Sequence, residues 1–206
     1  MKAMQEPTVF IVDDDEAVCD SIQELVESVG LRAECYTTGQ VFLDHYQTEH
    51  SGCLVLDVRM AEMSGLVLQE NLNAMGAEIP VIIITGHADV PMAVQALKAG
   101  AVDFVQKPYR NQLLLDSINN ALTMDNIARR SRDETQVHER QLATLTKREQ
   151  EVLDKLLAGN ISRQIARALG ISTRTVEAHR QNLLRKLGVG SVKELMLHPI
   201  AQEKQE

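Results

Sequence analysis

The stretch "CLVLDVRM", residues 53–60, sets four apolar residues in a row directly before a carboxylate, Asp57. A short continuous apolar run reads as a strand covered on both faces. Aspartate is among the residues least often buried unless it is paired. The stretch therefore asks what a charge is doing at the end of a core strand.

Working outward, strand-like and helix-like periods alternate five times. "TVFIV" (8–12) is a strand, followed by a helix over 16–28 with Val18, Ile22, Leu25, Val26 and Val29 on one face and Gly30 ending it. "LRAECY" (31–36) alternates as a partly exposed strand, and 38–47 forms a short helix. After the strand 53–56 comes a helix from about Gly65 to Met75. "PVIIIT" (80–85) is a central strand with Pro80 at a permitted start. A helix over 88–99 carries Met92, Val94, Leu97 and Ala99 among its apolar positions. "VDFV" (102–105) is the fifth strand, and a last helix starts near Arg110. Apolar runs in strands 1, 3 and 4 require helices on both faces, hence a mostly parallel, doubly wound α/β sheet. Sites in such sheets form at the carboxyl ends of the strands. Asp13, Asp14 and Asp15 stand there after strand 1, Asp57 after strand 3, Thr85 after strand 4 and Lys107 after strand 5. Asp57 thus belongs at the floor of a cleft.

Carboxylates gathered so closely repel one another unless a cation sits among them, and oxygen-only ligands suit Mg²⁺. A carboxylate beside Mg²⁺, a lysine and a hydroxyl is an arrangement for phosphoryl transfer onto Asp57. Plainer roles compete. Asp15 would cap the helix from Glu16, and Asp89 the one after it. The residues alone leave caps, a plain metal site and a phosphorylation site open.

The chain has 206 residues, 44% hydrophobic, with no tryptophan, an ordinary globular composition long enough for two small domains. Cys19, Cys35 and Cys53 have no metal-like spacing and read as buried free thiols of a reducing cytoplasm. The N-terminus does not look like a signal peptide, and no run approaches membrane-spanning length. The net charge of −8 divides unevenly. Residues 1–122 hold 6 Lys+Arg against 18 Asp+Glu, a net of −12, whereas 123–206 hold 15 against 11, a net of +4. Between Lys147 and Lys193 the balance is 10 to 4, a net of +6, which suits phosphate backbones.

"VFIVDDD", "LVLDVRMAEMSG" and "VIIITGHADVPMAVQALKAGAVDFVQKPY" together resemble the receiver domain of a bacterial two-component response regulator, over residues 7–122. The resemblance implies a flavodoxin-like fold and phosphorylation of Asp57 by a sensor histidine kinase. It implies Mg²⁺ held by Asp13, Asp14, Asp57 and the backbone carbonyl of Arg59, with Asp14 direct and Asp13 through water. Thr85 would follow the phosphoryl group, Phe104 would change its burial as Thr85 moves, and Lys107 matches the family's lysine. Lys107–Pro108 resembles the family's cis peptide. Two departures stand out: the family usually has proline at Ala61 and phenylalanine at Tyr109.

From Asn111 to Leu122 the apolar positions Leu114, Leu115, Ile118, Ala121 and Leu122 suit a helix packed on the sheet. Residues 123–143 continue without glycine or proline and read as a helical linker, too sparsely apolar for a coiled coil. The last part, 144–206, is all-α. "LTKREQEVLDKLLAG" opens with Thr146 and Glu149 as a capping box. "ISRQIARAL" ends at Gly170, "ISTRTVEAHRQNLLRKLG" runs from the cap Ser172 to Gly188, and "SVKELMLHPI" starts at Ser191. Two short helices separated by "GIS", the second basic, form a helix-turn-helix pattern. By charge alone, a solvated face explains the arginines equally well.

Residues 144–197 resemble the LuxR-type DNA-binding domain of NarL/FixJ-type regulators, and "TGHADVPMAVQALKAGA" points to the FixJ subgroup. The resemblance implies that the helix near 173–187 enters the major groove of double-stranded promoter DNA. Thr175, Arg180 and Lys186 would lie against the backbone, Glu177, Ala178 and Gln181 would face base edges, and Arg174 would be a further DNA-binding residue. Glu177 departs from members with lysine there; it would accept from cytosine N4 or orient a neighbouring arginine. The implied protein is a phosphorylation-activated transcription regulator, not an enzyme beyond chemistry on itself. It pairs as a homodimer when phosphorylated, with RNA polymerase a further partner and no membrane. A helical domain that binds protein is the alternative; the +6 segment favours DNA.

Overall fold

Side chains alternate across a strand, and the strands of this chain use both faces. A computed structural model describes residues 6–86 and 90–197. Strands β1 (Thr8–Val12), β2 (Arg32–Tyr36), β3 (Gly52–Asp57), β4 (Val81–Thr85) and β5 (Asp103–Gln106) form one parallel sheet in the order β2-β1-β3-β4-β5. Helices α1 (Glu16–Ser28), α2 (Gly39–His45), α3 (Gly65–Ala74), α4 (Val90–Lys98) and α5 (Asn111–Ala143) connect and follow them. Val9, Ile11, Cys53, Val55, Ile82 and Ile84 pack on Ile22 and Val26 of α1 and Leu114 and Ile118 of α5. Phe10, Val12, Leu54, Leu56, Val81 and Ile83 pack on Phe42 of α2, Leu68 and Leu72 of α3 and Ala96 of α4. Each such side chain, fully buried, contributes about 1.5–3 kcal/mol, so the doubly wound arrangement follows from covering both faces.

One expectation about faces is corrected. Val29 is 51% exposed, because it is the C-cap of α1 and the core-facing stripe ends at Val26. Of the apolar positions of α4, Val94 and Leu97 are 42% and 50% exposed, and Ala96 is buried. The expected cap Asp89, the first residues of the 88–99 helix and residues 198–200 of the last expected helix lie outside the described residues.

A second compact unit, Arg130–Glu206, follows the first, Met1–Arg129, and the division falls inside α5. The second unit contains α6 (Lys147–Leu157), α7 (Ser162–Leu169), α8 (Thr173–Leu187) and α9 (Val192–Leu197). Its core gathers Leu145, Val152, Leu153, Leu156, Ile165, Val176, Leu183, Leu187 and Leu195.

The polar stretch after Leu122 holds a feature that its charge pattern concealed. Asp125 of α5 is 2% exposed and accepts from Ser51 Oγ and Gly52 N, both at 2.9 Å, and from Arg129 Nε. Arg129 in turn donates to the backbone carbonyls of Glu49 and His50. A buried carboxylate with this many donors ties α5 to the start of β3. Asp125→Ala strands the Arg129 guanidinium, the Ser51 hydroxyl and the Gly52 amide together, so it should destabilise the first unit by about 3–5 kcal/mol. All three tyrosines lie in that unit. Urea unfolding followed by tyrosine fluorescence therefore reads it alone, and an unchanged midpoint would remove the clamp from the account.

Candidate functional site

The pairing register assembles the first site. Val12 pairs with Leu56, Asp57 with Ile84 and Thr85 with Gln106. The next steps toward the carboxyl edge are Asp13, Asp57, Thr85 and Lys107, one from each of four neighbouring strands. Asp57 is itself the last residue of β3 and is 5% exposed, so it is buried within the strand rather than open on a cleft floor.

Its charge is answered locally. Lys107 Nζ donates to Asp13 Oδ2 at 2.6 Å and to Asp57 Oδ1 at 2.9 Å. Asp15 N donates to Asp13 Oδ1 at 3.0 Å, and Arg59 N to Asp57 Oδ2 at 2.6 Å. Burial pushes the Asp13 carboxyl above its usual range, against the Lys107 ammonium and the Asp15 amide, which favour the anion. Burial also works to lower Lys107, but the two carboxylates more than reverse it, and the ammonium is held above its ordinary value.

Asp14 and Arg59 are exposed, and Asp14 Oδ2 accepts from Ala61 N at 2.8 Å. Thr85 is buried, and its carbonyl accepts from Lys107 N at 2.8 Å. Phe104 is half-buried and pairs with Ile83. The Lys107–Pro108 peptide is cis. A Cβ on Gly65 would lie 2.2 Å from the Asp57 carbonyl oxygen, so only glycine lets α3 start this close to the site. Of the acidic run after β1, Asp15 is the cap, accepting from Ala17 N at 3.0 Å.

Among the described residues no three His, Cys, Asp or Glu side chains are closed around a metal position; Lys107 bridges Asp13 and Asp57, and Asp14 turns to Ala61. The donor set nevertheless fits a hard divalent cation. All its donors are oxygens, and three carboxylates gather with one ammonium, leaving net negative charge for a cation to offset.

The second site lies on α8. Ser172 caps it, accepting from Thr175 N at 3.1 Å, and Gly170 turns the chain between α7 and α8 with φ +66°. Val176, Leu183, Leu184 and Leu187 are buried. Arg174, Thr175, Ala178 and Gln181 are exposed on α8, and Glu177 and Arg180 are half-buried. Glu177 Oε1 accepts from Ser162 Oγ of α7 at 2.5 Å and from Arg180 Nη1 at 3.2 Å, which links the two helices. Lys186 Nζ, expected against phosphate, donates to Glu149 Oε2 at 2.7 Å and to the Thr144 carbonyl at 2.9 Å.

That pair carries a pH dependence. Burial alone would raise the Glu149 carboxyl, but Lys186 and the two Thr146 donors bring it below the usual carboxylate range. A depressed carboxylate stabilises the fold above its unfolded pKa, about 4.3, and that share is lost as pH falls through the folded value. Glu149→Gln keeps a capping partner for Thr146 but removes the charge pairing. The fragment 130–206 with this change should be about 1.5–3 kcal/mol less stable at pH 7. The difference from the parent should shrink as pH falls below about 4.3 and vanish only below the folded pKa, which lies lower still. A difference constant across pH, by circular dichroism in urea, would show that the charge is irrelevant.

Comparison with known proteins covers both parts of the chain. Residues 9–119 match the response regulator receiver domain family, and residues 143–198 match the luxR family of bacterial regulatory proteins. The chain belongs to the response regulators, and it is a transcription regulator with a receiver and a LuxR-type DNA-binding domain. It is 45% identical over 188 residues to the response regulator protein TodT of Pseudomonas putida, covering 91% of this chain and 83% of that one. Over 198 residues it is 39% identical to the transcriptional regulatory protein FixJ of Rhizobium meliloti, covering 96% and 97%. Among solved structures, the response regulator StyR shares 42% identity with a TM-score of 0.90, covering 97% of this chain and all of that one. Full-length FixJ from B. japonicum shares 35% with a TM-score of 0.59, covering 96% and 98%. A receiver implies a sensor kinase as partner, and the LuxR-type domain implies DNA. No helix among the described residues is long and apolar enough to cross a membrane.

Proposed function

We propose that Asp57 is the phosphoacceptor and that its phosphorylation pairs two copies of the chain on promoter DNA. The observation that carries this is Lys107 Nζ bridging Asp13 and Asp57 at 2.6 and 2.9 Å, with Thr85 in the adjoining register. An Asp57 oxygen attacks the phosphorus of the kinase's phosphohistidine as the P–N bond breaks, and the leaving imidazole takes up a proton. Lys107 exchanges Asp57 Oδ1 for a phosphoryl oxygen, and the Thr85 hydroxyl donates to another. Asp13, Asp14, Asp57 and the Arg59 carbonyl would hold Mg²⁺, which when bound offsets negative charge on the phosphoryl oxygens. Phe104, on β5 beside β4, would change its burial as Thr85 moves.

The exposed Val94 and Leu97 of α4 and Leu113 of α5 support a pairing face on this side of the receiver. On DNA, Arg174, Thr175 and Arg180 contact phosphates, and Ala178 and Gln181 face base edges with Glu177 orienting Arg180. Lys186 serves the fold first, through Glu149. RNA polymerase is the partner that DNA-bound protein would meet next. A footprint on the regulated promoter should deepen with acetyl phosphate and Mg²⁺. Equal protection with and without the phosphodonor would reject the switch.

A further inference from the structure

The loop between β3 and α3 hangs from the acidic edge by its own backbone. Arg59 N holds Asp57 Oδ2 at 2.6 Å, Ala61 N holds Asp14 Oδ2 at 2.8 Å, and Gly65 N closes the loop on the Val58 carbonyl at 2.9 Å. The two amide contacts differ in environment. The Arg59 contact is on a buried carboxylate, whereas Asp14 and Ala61 are both exposed. An exposed amide that loses its acceptor is rehydrated, so the Ala61 contact can open at small cost. Beside it lies a cavity of about 120 Å³ lined by Asp14, Thr38, Met60, Ala61 and Met63 among others, room into which the loop can shift.

Asp13 has no comparable freedom. Both of its oxygens are engaged, by Asp15 N and Lys107, and it is 2% exposed. Asp14 takes a hydrogen bond on Oδ2 only, among the described residues. It is therefore the carboxylate whose availability to a cation can vary, and the Ala61 amide is what varies it.

We propose that the Ala61 amide is a latch on Asp14: closed, it draws the loop onto the acidic edge and weakens uptake of a divalent cation; open, it releases the carboxylate. The proposal rests on the reading of this edge as a Mg²⁺ site. It makes residue 61 a positioning residue that acts through its backbone.

Proline has no N–H to donate. Ala61→Pro deletes the latch and Ala61→Ser keeps it. Calorimetric titration of the full chain with Mg²⁺ should give about threefold tighter binding for Ala61→Pro, the scale of one solvent-exposed hydrogen bond. Ala61→Ser should bind like the parent. In the parent itself, hydrogen exchange at the Ala61 amide should quicken when Mg²⁺ is added, and this readout decides the matter alone if the proline variant does not fold. Equal Mg²⁺ affinity in folded parent, serine and proline proteins, or unchanged Ala61 exchange, would overturn the latch and leave the cation site standing. A parent that takes up no Mg²⁺ would overturn both.

Discussion

Asp57→Asn protein incubated with acetyl phosphate and Mg²⁺ should gain no phosphoryl group, while the parent gains one. Three carboxylates share the edge, and their surroundings separate their chemistry. Asp13 has one oxygen on the Asp15 amide and the other on Lys107, and its strand β1 does not adjoin β4, which carries Thr85. Asp14 is exposed, where an acyl phosphate meets water. Asp57 alone combines burial, the Lys107 ammonium at 2.9 Å and the neighbouring Thr85. Asparagine keeps the shape and removes the attacking oxygen's charge, so the loss is chemical. One local strain is expected, since the amide NH₂ must face either Lys107 or Arg59 N, both donors. The product in the parent should survive acid and be lost in base, as an acyl phosphate is. Intact-mass measurement reads the gain directly; full labelling of the variant would falsify Asp57 as acceptor.

The sheet and this edge were legible because short-range rules wrote them. Apolar runs fixed β1, β3 and β4; strand periodicity then put Asp13, Asp57, Thr85 and Lys107 on one side without any knowledge of contacts. The Thr146–Glu149 capping box and the glycine stops at Gly170 and Gly188 were equally local. What escaped depends on distant partners. Asp125 looked like one charge in a solvated helix, and its burial follows from Ser51 and Gly52, more than seventy residues away in sequence. The Asp125–Arg129 spacing was visible as an i, i+4 pair, but such pairs are usually surface pairs worth little. Lys186 read as one more basic residue of a DNA-facing helix, and nothing local announces that Glu149 holds it. Val29 was read on the core face of α1 because it is apolar and in period, yet it is the C-cap and stands exposed.

Phosphorylation should raise affinity for a paired operator by about 10²–10⁴, and the rise should come from joining two reading units. One unit of this size neutralises only a few phosphates, so its grip alone is weak and steeply salt-dependent. The segment 147–193 offers 10 Lys+Arg against 4 Asp+Glu, and three of those cations are already paired inside the fold or on their own helix, Lys186 on Glu149, Arg148 on Glu151 and Arg180 on Glu177. The first 122 residues, with 6 Lys+Arg against 18 Asp+Glu, add a field that repels the same phosphates. A single copy is therefore a poor binder on charge grounds. Two copies joined through their receivers present the second unit at high effective concentration, without any new contact in the groove. The fragment 130–206 has its own core and should bind a half-site equally with and without acetyl phosphate. The full chain should gain on the paired site only when phosphorylated, with its mass doubling in sedimentation. On a single half-site the gain should disappear, because pairing leaves α8 itself unchanged. Full affinity reached by phosphorylated protein that stays monomeric on DNA would show instead that the reading unit itself is what phosphorylation alters.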